Sequence, residues 1–263
     1  MDKTFLIKLA ASVLISGLWI SGATILAEKR GSKIGGMVAN LPSHLLVSLF
    51  FVAIVSGTDY AVAAAPGIPI GMAVNSIFLL VLILTLKYGL TISIILSFIA
   101  WLIFTLAGII FTQDNFIVNI IIYLLVMAGT FGYLEWGAKI RSVERKPKNF
   151  TVRQILLRAG FAGTVVAMVI IFSRILDAYV LGIFSVFPAV MFSTMLILIV
   201  NQSPAFAQET GKIMIFASTN ITVYAVALYF TYPLIGPFWG TAISYLAAFI
   251  WVWALHPLVK KFG

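Results

Sequence analysis

Apolar residues along this chain neither alternate nor recur as a helical stripe. They run in blocks of about twenty, separated by short turns marked by glycine, proline or charge. A block of roughly that length crosses the hydrocarbon of a bilayer as a helix rising about 1.5 Å per residue. The pattern predicts nine spans, TM1 to TM9, over 5–27, 36–56, 60–86, 89–111, 116–138, 155–175, 180–200, 210–232 and 237–257. The period-two alternation of a transmembrane barrel is absent. A single long polar segment, 139–154, separates two groups of four spans. The expected architecture is therefore all-α and membrane-integral: a first four-helix repeat over 1–111, a linking helix and basic linker over 112–154, and a second four-helix repeat over 155–263.

The two groups align with each other. Lys8-Leu9-Ala10 matches Arg158-Ala159-Gly160, Gly36…Pro42 matches Gly182…Pro188, Asn75 matches Asn220, and Trp101 matches Trp251. Each copy has a glycine six positions before a proline at the start of its second helix, and an asparagine in the middle of its third. An odd linking helix between two even groups inverts the second group. Charge agrees: with nine alternating spans, of 17 Lys and Arg only Lys3, Lys8 and Arg174 fall on one side. The positive-inside rule then puts the linker and the C-terminus in the cytoplasm and the N-terminus outside. Removing TM5 spoils this sorting, and 116–134 contains no charge. The N-terminal segment runs into an apolar stretch without a convincing small-residue cleavage site, so it is expected to remain as a helix.

Composition narrows the function. Hydrophobic residues make up 62% of the chain and charged residues 10%, against about 25% charged in a soluble domain. The formal charge of +9 belongs to loops on one side, where it contacts lipid headgroups; no soluble domain is left to bind nucleic acid. Cysteine is absent, which removes disulfides and thiolate metal sites. No zinc, phosphate-loop or nucleophile-elbow motif occurs, and the eight acids lie almost entirely in loops. Neither an enzyme nor a cofactor or metal is expected. The expected partners are the lipid bilayer and a small solute; a homo-oligomer is allowed.

The segment Ser173-Arg174-Ile175-Leu176-Asp177-Ala178-Tyr179-Val180-Leu181-Gly182, followed by Phe187-Pro188, resembles the GlpM family of small four-helix bacterial inner-membrane proteins. The resemblance covers about 155–257. The first copy is more divergent there and lacks the Tyr and the Asp. The resemblance implies the four-helix fold and an inner-membrane location, and a chain that is a fused pair of such units.

Candidate residues follow from what hydrocarbon does to polar groups. Pro42 and Pro188 break or kink their helices at matching positions and free backbone carbonyls; Pro66 and Pro69 do so in TM3, where Ala61–Gly67 is expected to be irregular. Asn75 and Asn220, with Ser76, Ser218, Thr219 and Thr222, are candidate solute ligands near the midplane, or interhelical hydrogen bonds. His44 is a candidate proton carrier. Arg174 and Asp177, at i and i+3, either pair on a helix end or serve as a gate that attracts an anion. Asp59 is expected to cap a helix; Glu135 and Glu209 are expected to be interface charges. Trp19, Trp136, Trp239, Trp251 and Trp253 suit anchoring at the membrane interface. Taken together, these features lead to the expectation of a small secondary transporter or permease for a small polar or amphipathic solute. The alternatives are a non-transporting scaffold or membrane-chaperone subunit and, with less behind it, a channel.

Overall fold

A computed structural model describes residues 3–29, 42–141 and 151–262. The expectations that rest on Arg30, Lys33 and Gly36, and on the basic centre of the linker, lie outside the described residues. Among the described residues the chain is all helical. Its order is α1 (Lys3–Lys29), α2 (Ser43–Ser56), α3 (Thr58–Ala64), α4 (Gly67–Thr85), α5 (Leu90–Phe111), α6 (Phe116–Gly132), α7 (Val152–Phe172), α8 (Ala178–Ser185), α9 (Ala189–Asn201), α10 (Pro204–Ala217) and α11 (Thr219–Phe262). Among the described residues six stretches are long and apolar enough to cross a membrane: 67–88, 90–111, 116–137, 152–172, 178–201 and 204–258; Ser43–Ser56 is a shorter apolar helix.

Helix ends fall where local chemistry stops or starts them. Thr151 and Gln154 form a reciprocal capping box, so α7 begins at Val152, before the apolar run that marked TM6. Asn115 caps α6, and Ser203 with Pro204 opens α10 six residues ahead of the expected start of TM8. The last element is not one rod. Gly236 has a φ of +74°, a conformation that needs glycine, and Pro237 follows it. A straight helix would hold Thr219 and Trp251 about 48 Å apart, yet the Trp251 Nε1–H donates to Thr219 Oγ1 at 2.9 Å. α11 is thus a hairpin with limbs 219–235 and 237–262, which agrees with separate TM8 and TM9.

Two predicted spans are interrupted. TM7, expected over 180–200 with a break or kink at Pro188, is interrupted there: α8 ends at Ser185 and α9 starts after Pro188. TM8, expected over 210–232, is interrupted between α10 and α11 by one turn residue, Ser218, whose φ and ψ of −65° and −9° stay near helical values. In TM3 the irregular segment shrinks to Ala65–Pro66, because Thr58–Ala64 still makes two helical turns.

Hydrogen bonds sort the turns onto two faces. On the N-terminal face, Lys8 Nζ donates to the Ile54 carbonyl, the Ser56 and Ser173 hydroxyls meet at 2.8 Å, and the Tyr60 hydroxyl donates to the Leu176 carbonyl at 2.6 Å. On the linker face, Gln208 donates to the Ile83 carbonyl and Lys212 reaches Glu135 and Ile140. At the centre stands α4, flanked by α5, α6, α8, α10 and α11. It packs Ile68, Met72, Phe78, Leu79, Leu82 and Ile83 into the main core.

Candidate functional site

The break between α8 and α9 is the structural centre of the candidate site. Gly182 of α8 lies against the backbone of Ala64 and Gly67, and Gly71 lies against Ile183 and Val186. A Cβ on Gly182 or Gly67 would occupy the space of a carbonyl oxygen of the facing helix, Ala64 or Tyr179. Small residues allow this backbone contact inside a membrane, where apolar surface gives helices no reason of its own to associate. The spacing Gly67-x-x-x-Gly71 is the sequence signal for it; polar residues alone do not reveal it.

Beyond that contact the α8 helix cannot continue, because Pro188 has no N–H and clashes with the preceding turn. The carbonyl of Val186 is taken by Asn75 Nδ2 of α4 at 2.6 Å. Asn75 Oδ1 has no hydrogen-bond partner among the described residues, and the side chain is buried. Phe187, within the break, stacks on Phe98 and meets Trp101 edge-on, at 6.0 and 5.0 Å between ring centres. An amide on one side and two aromatic rings of α5 on the other therefore hold the irregular segment.

Pro42 and Pro188 share a conformation. Their φ, ψ values are −75°, 52° and −74°, 26°, and each precedes the first residue of a helix. Each carbonyl then accepts the N–H four residues on, from Leu46 at 2.9 Å and from Phe192 at 2.7 Å. His44 is buried at the start of α2, and its Nε2 has no partner among the described residues. Pro66 is the N-cap of α4, and Pro69 lies in the first turn of that helix.

The remaining candidates divide. Ser76 bonds only to its own helix, to the Met72 carbonyl at 3.0 Å. Ser218, Thr219, Asn220 and Thr222 are buried together at the α10–α11 junction. Ser218 Oγ bonds the Ile215 carbonyl at 2.7 Å, and Thr219 Oγ1 bonds the Phe216 carbonyl at 3.2 Å. Asn75 and Asn220 lie on helices that pack against each other.

Four sequence expectations need correction. Arg174 and Asp177 do not pair. Asp177 caps α8 by accepting the Val180 N–H at 3.0 Å, while the Arg174 guanidinium lies over the Phe5 ring at 4.9 Å. A cap satisfies an otherwise unpaired N–H, and the guanidinium makes a cation–π contact instead. Asp59 does not cap α3; Gly57 is the N-cap, and Asp59 lies in the first turn. Glu135 is not a loose interface charge: it accepts from Lys212 at 2.7 Å, with only 1% of the lysine side chain exposed. Trp251 is not only an interface anchor, since it ties the two limbs of α11 together through Thr219.

Sequence reasoning missed two residues of the linking helix. Asn119 Nδ2 donates to the Pro66 carbonyl at 3.0 Å and the Gln113 carbonyl at 2.7 Å, and lies 3.2 Å from the Tyr179 hydroxyl. The Tyr123 hydroxyl meets Ser218 Oγ at 2.9 Å. Both side chains are fully buried. Their i, i+4 spacing in an otherwise apolar span was the available signal.

Residues 9–116 match a family model described as a protein of unknown function (DUF3147). The match covers the first four spans and stops at the opening residue of α6. No curated protein matches the chain, and no solved structure does. Among the described residues no group of His, Asp and Glu is placed to hold a metal ion.

Proposed function

We propose that this protein is a small secondary transporter or permease for a small polar or amphipathic solute. It works by alternating access between two inverted four-helix repeats, N-terminus outside and C-terminus in the cytoplasm. The observation that carries the reading is the α8–α9 break, with its carbonyl held by Asn75 from the other half. Irregular backbone at membrane depth survives only where protein buries it or where it lines a cavity, and breaks at corresponding positions in two halves point to a transport site. Pro188 follows such a break, and Pro42 precedes its own helix with a like φ and an equivalent carbonyl hydrogen bond. The nine-span alternation draws support from the sorting of the described turns onto two faces. The match of 9–116 to DUF3147 covers the first group of four spans.

In this reading Asn75 and Asn220 present amides to the solute, and Ser76, Ser218, Thr219 and Thr222 supply hydroxyls. The test uses the cysteine-free background. Ser76→Cys and Thr222→Cys are each labelled with a membrane-impermeant maleimide, first in intact cells and then in inside-out vesicles. A transport site reacts from both sides, and a solute from the transported class slows both reactions. Labelling from one side only, unaffected by any solute, sinks the reading.

A second reading, a non-transporting scaffold, is favoured by one observation. The backbone contact of Gly67 and Gly71 with Gly182–Val186 is as tight as a protein core. In that case neither reporter reacts from either side.

A further inference from the structure

Once TM5 is treated as the helix that inverts the second repeat, it has no duty but to cross the membrane. Its contacts say otherwise. α6 presents Asn119 and Tyr123 one turn apart, both fully buried. Asn119 holds the Pro66 carbonyl, at the break between α3 and α4. Tyr123 holds Ser218, at the break between α10 and α11. These two interrupted helices are TM3 and TM8, the corresponding third spans of the two groups. At its far end the same helix closes in a π-turn, Tyr133–Gly137, where Glu135 binds Lys212 of α10. Lys212 also donates to the Ile140 carbonyl at 2.9 Å, just past that turn.

From this juxtaposition we propose that the linking helix is a coupling strut: through Asn119 and Tyr123 it grips the break of TM3 and the break of TM8, so that the two broken helices change conformation together. The inference goes beyond the transport reading and does not depend on it, since a scaffold would be coupled in the same way.

A break is where a helix has lost backbone hydrogen bonds, so it is the cheapest place for it to bend. Two side chains one turn apart on a continuous helix keep a fixed spacing of about 6 Å along its axis. A bend at Ala65–Pro66 that pulls on Asn119 therefore displaces Tyr123, and with it Ser218. The family match ends at Phe116, so the strut lies outside the segment that resembles DUF3147. It joins that segment to the second group by side chains as well as by the chain itself.

The experiment is a crossed measurement on the full-length protein in lipid nanodiscs. Buried reporter cysteines are placed on α4 (Ala73→Cys) and on the first limb of α11 (Ala225→Cys), and their maleimide reaction rates are compared in three backgrounds. Tyr123→Phe removes only the hydroxyl that meets TM8. Asn119→Leu removes the amide that meets TM3, the Gln113 carbonyl and Tyr179. Coupling predicts that each change raises the rate at the distant reporter as well as the near one, by about threefold for an interhelical hydrogen bond of typical strength in a membrane. If each variant speeds only the reporter on the helix it touches, or neither reporter changes, the strut is refuted. Should Asn119→Leu fail to fold, Tyr123→Phe alone decides by its effect at Ala73→Cys.

Discussion

Helices α4 and α5 are neighbours, both strongly apolar and of similar length, yet they occupy opposite environments. Over an 18-residue stretch of α4, 78% of the residues are buried inside the protein; over one of α5, 22% are. Hydrophobicity cannot make this distinction, because lipid tails are as apolar as leucine. The difference lies in a few non-apolar positions. α4 has Gly67 and Gly71 to let α8 approach and Asn75 to meet its broken end. α5 turns Ser93, Ser97, Trp101 and Thr105 inward and leaves Ile92, Ile99, Ile103 and Ile110 on its outer side. In this protein small and polar residues, rather than greasy ones, choose the central helix.

That contrast can be broken most severely at the backbone contact. Gly182→Val drives a side chain into the Ala64 carbonyl and should cost more than about 3 kcal/mol, the upper end for overpacking, because backbone cannot yield. Gly160→Val, where nothing lies within 4 Å, should be far milder. The recovery of monodisperse protein from membranes compares them; equal loss in both would show that the contact does not organise the fold.

The next largest effect concerns the charges. Glu135→Ala takes the carboxylate from a lysine that is 1% exposed, and should destabilise by about 3 kcal/mol. Pairing it with Lys212→Met should restore most of the loss, and thermal unfolding in detergent measures both. A double variant no better than Glu135→Ala would show that Lys212 has a second indispensable duty.

Asn75→Leu leaves the Val186 carbonyl without its donor and should cost about 1 kcal/mol, too little to reduce the amount of folded protein. A collapse in yield would make Asn75 a packing residue and nothing more. The smallest effect belongs to the outer side of α5: Ile103→Leu should change stability by less than about 0.5 kcal/mol by the same thermal measurement. A larger change would mean that this side meets protein rather than lipid.

Much of the helix pattern was legible beforehand, since apolar runs of span length have few other fates. The same holds for the irregular start of TM3, which Pro66 and Gly67 announce. The interruption of TM7 was only half legible. Pro188 marked a break, but nothing local said that the Val186 carbonyl would find Asn75, 111 residues away in sequence. Ser218 gave less warning, because serine is tolerated inside helices, and nothing local showed that its oxygen would accept a hydrogen bond from Tyr123. Asp177 and Arg174 misled for a related reason. Spacing would place two charges on one helical face, but the helix ends at Phe172, before both, so Asp177 becomes the cap of the next helix and Arg174 meets an aromatic ring.

The sequence by itself determined that this chain is a bundle of apolar helices, where most of them begin and end, and which positions are expensive to leave in lipid. Each follows from a local cost: an unpaired N–H, a missing N–H, a charge in hydrocarbon. Only the tertiary structure decided which helix is central, which break each buried amide serves, and that the linking helix grips both groups. Those outcomes depend on partners far apart along the chain, and an apolar surface fits many partners equally well until a glycine contact or a single hydrogen bond selects one.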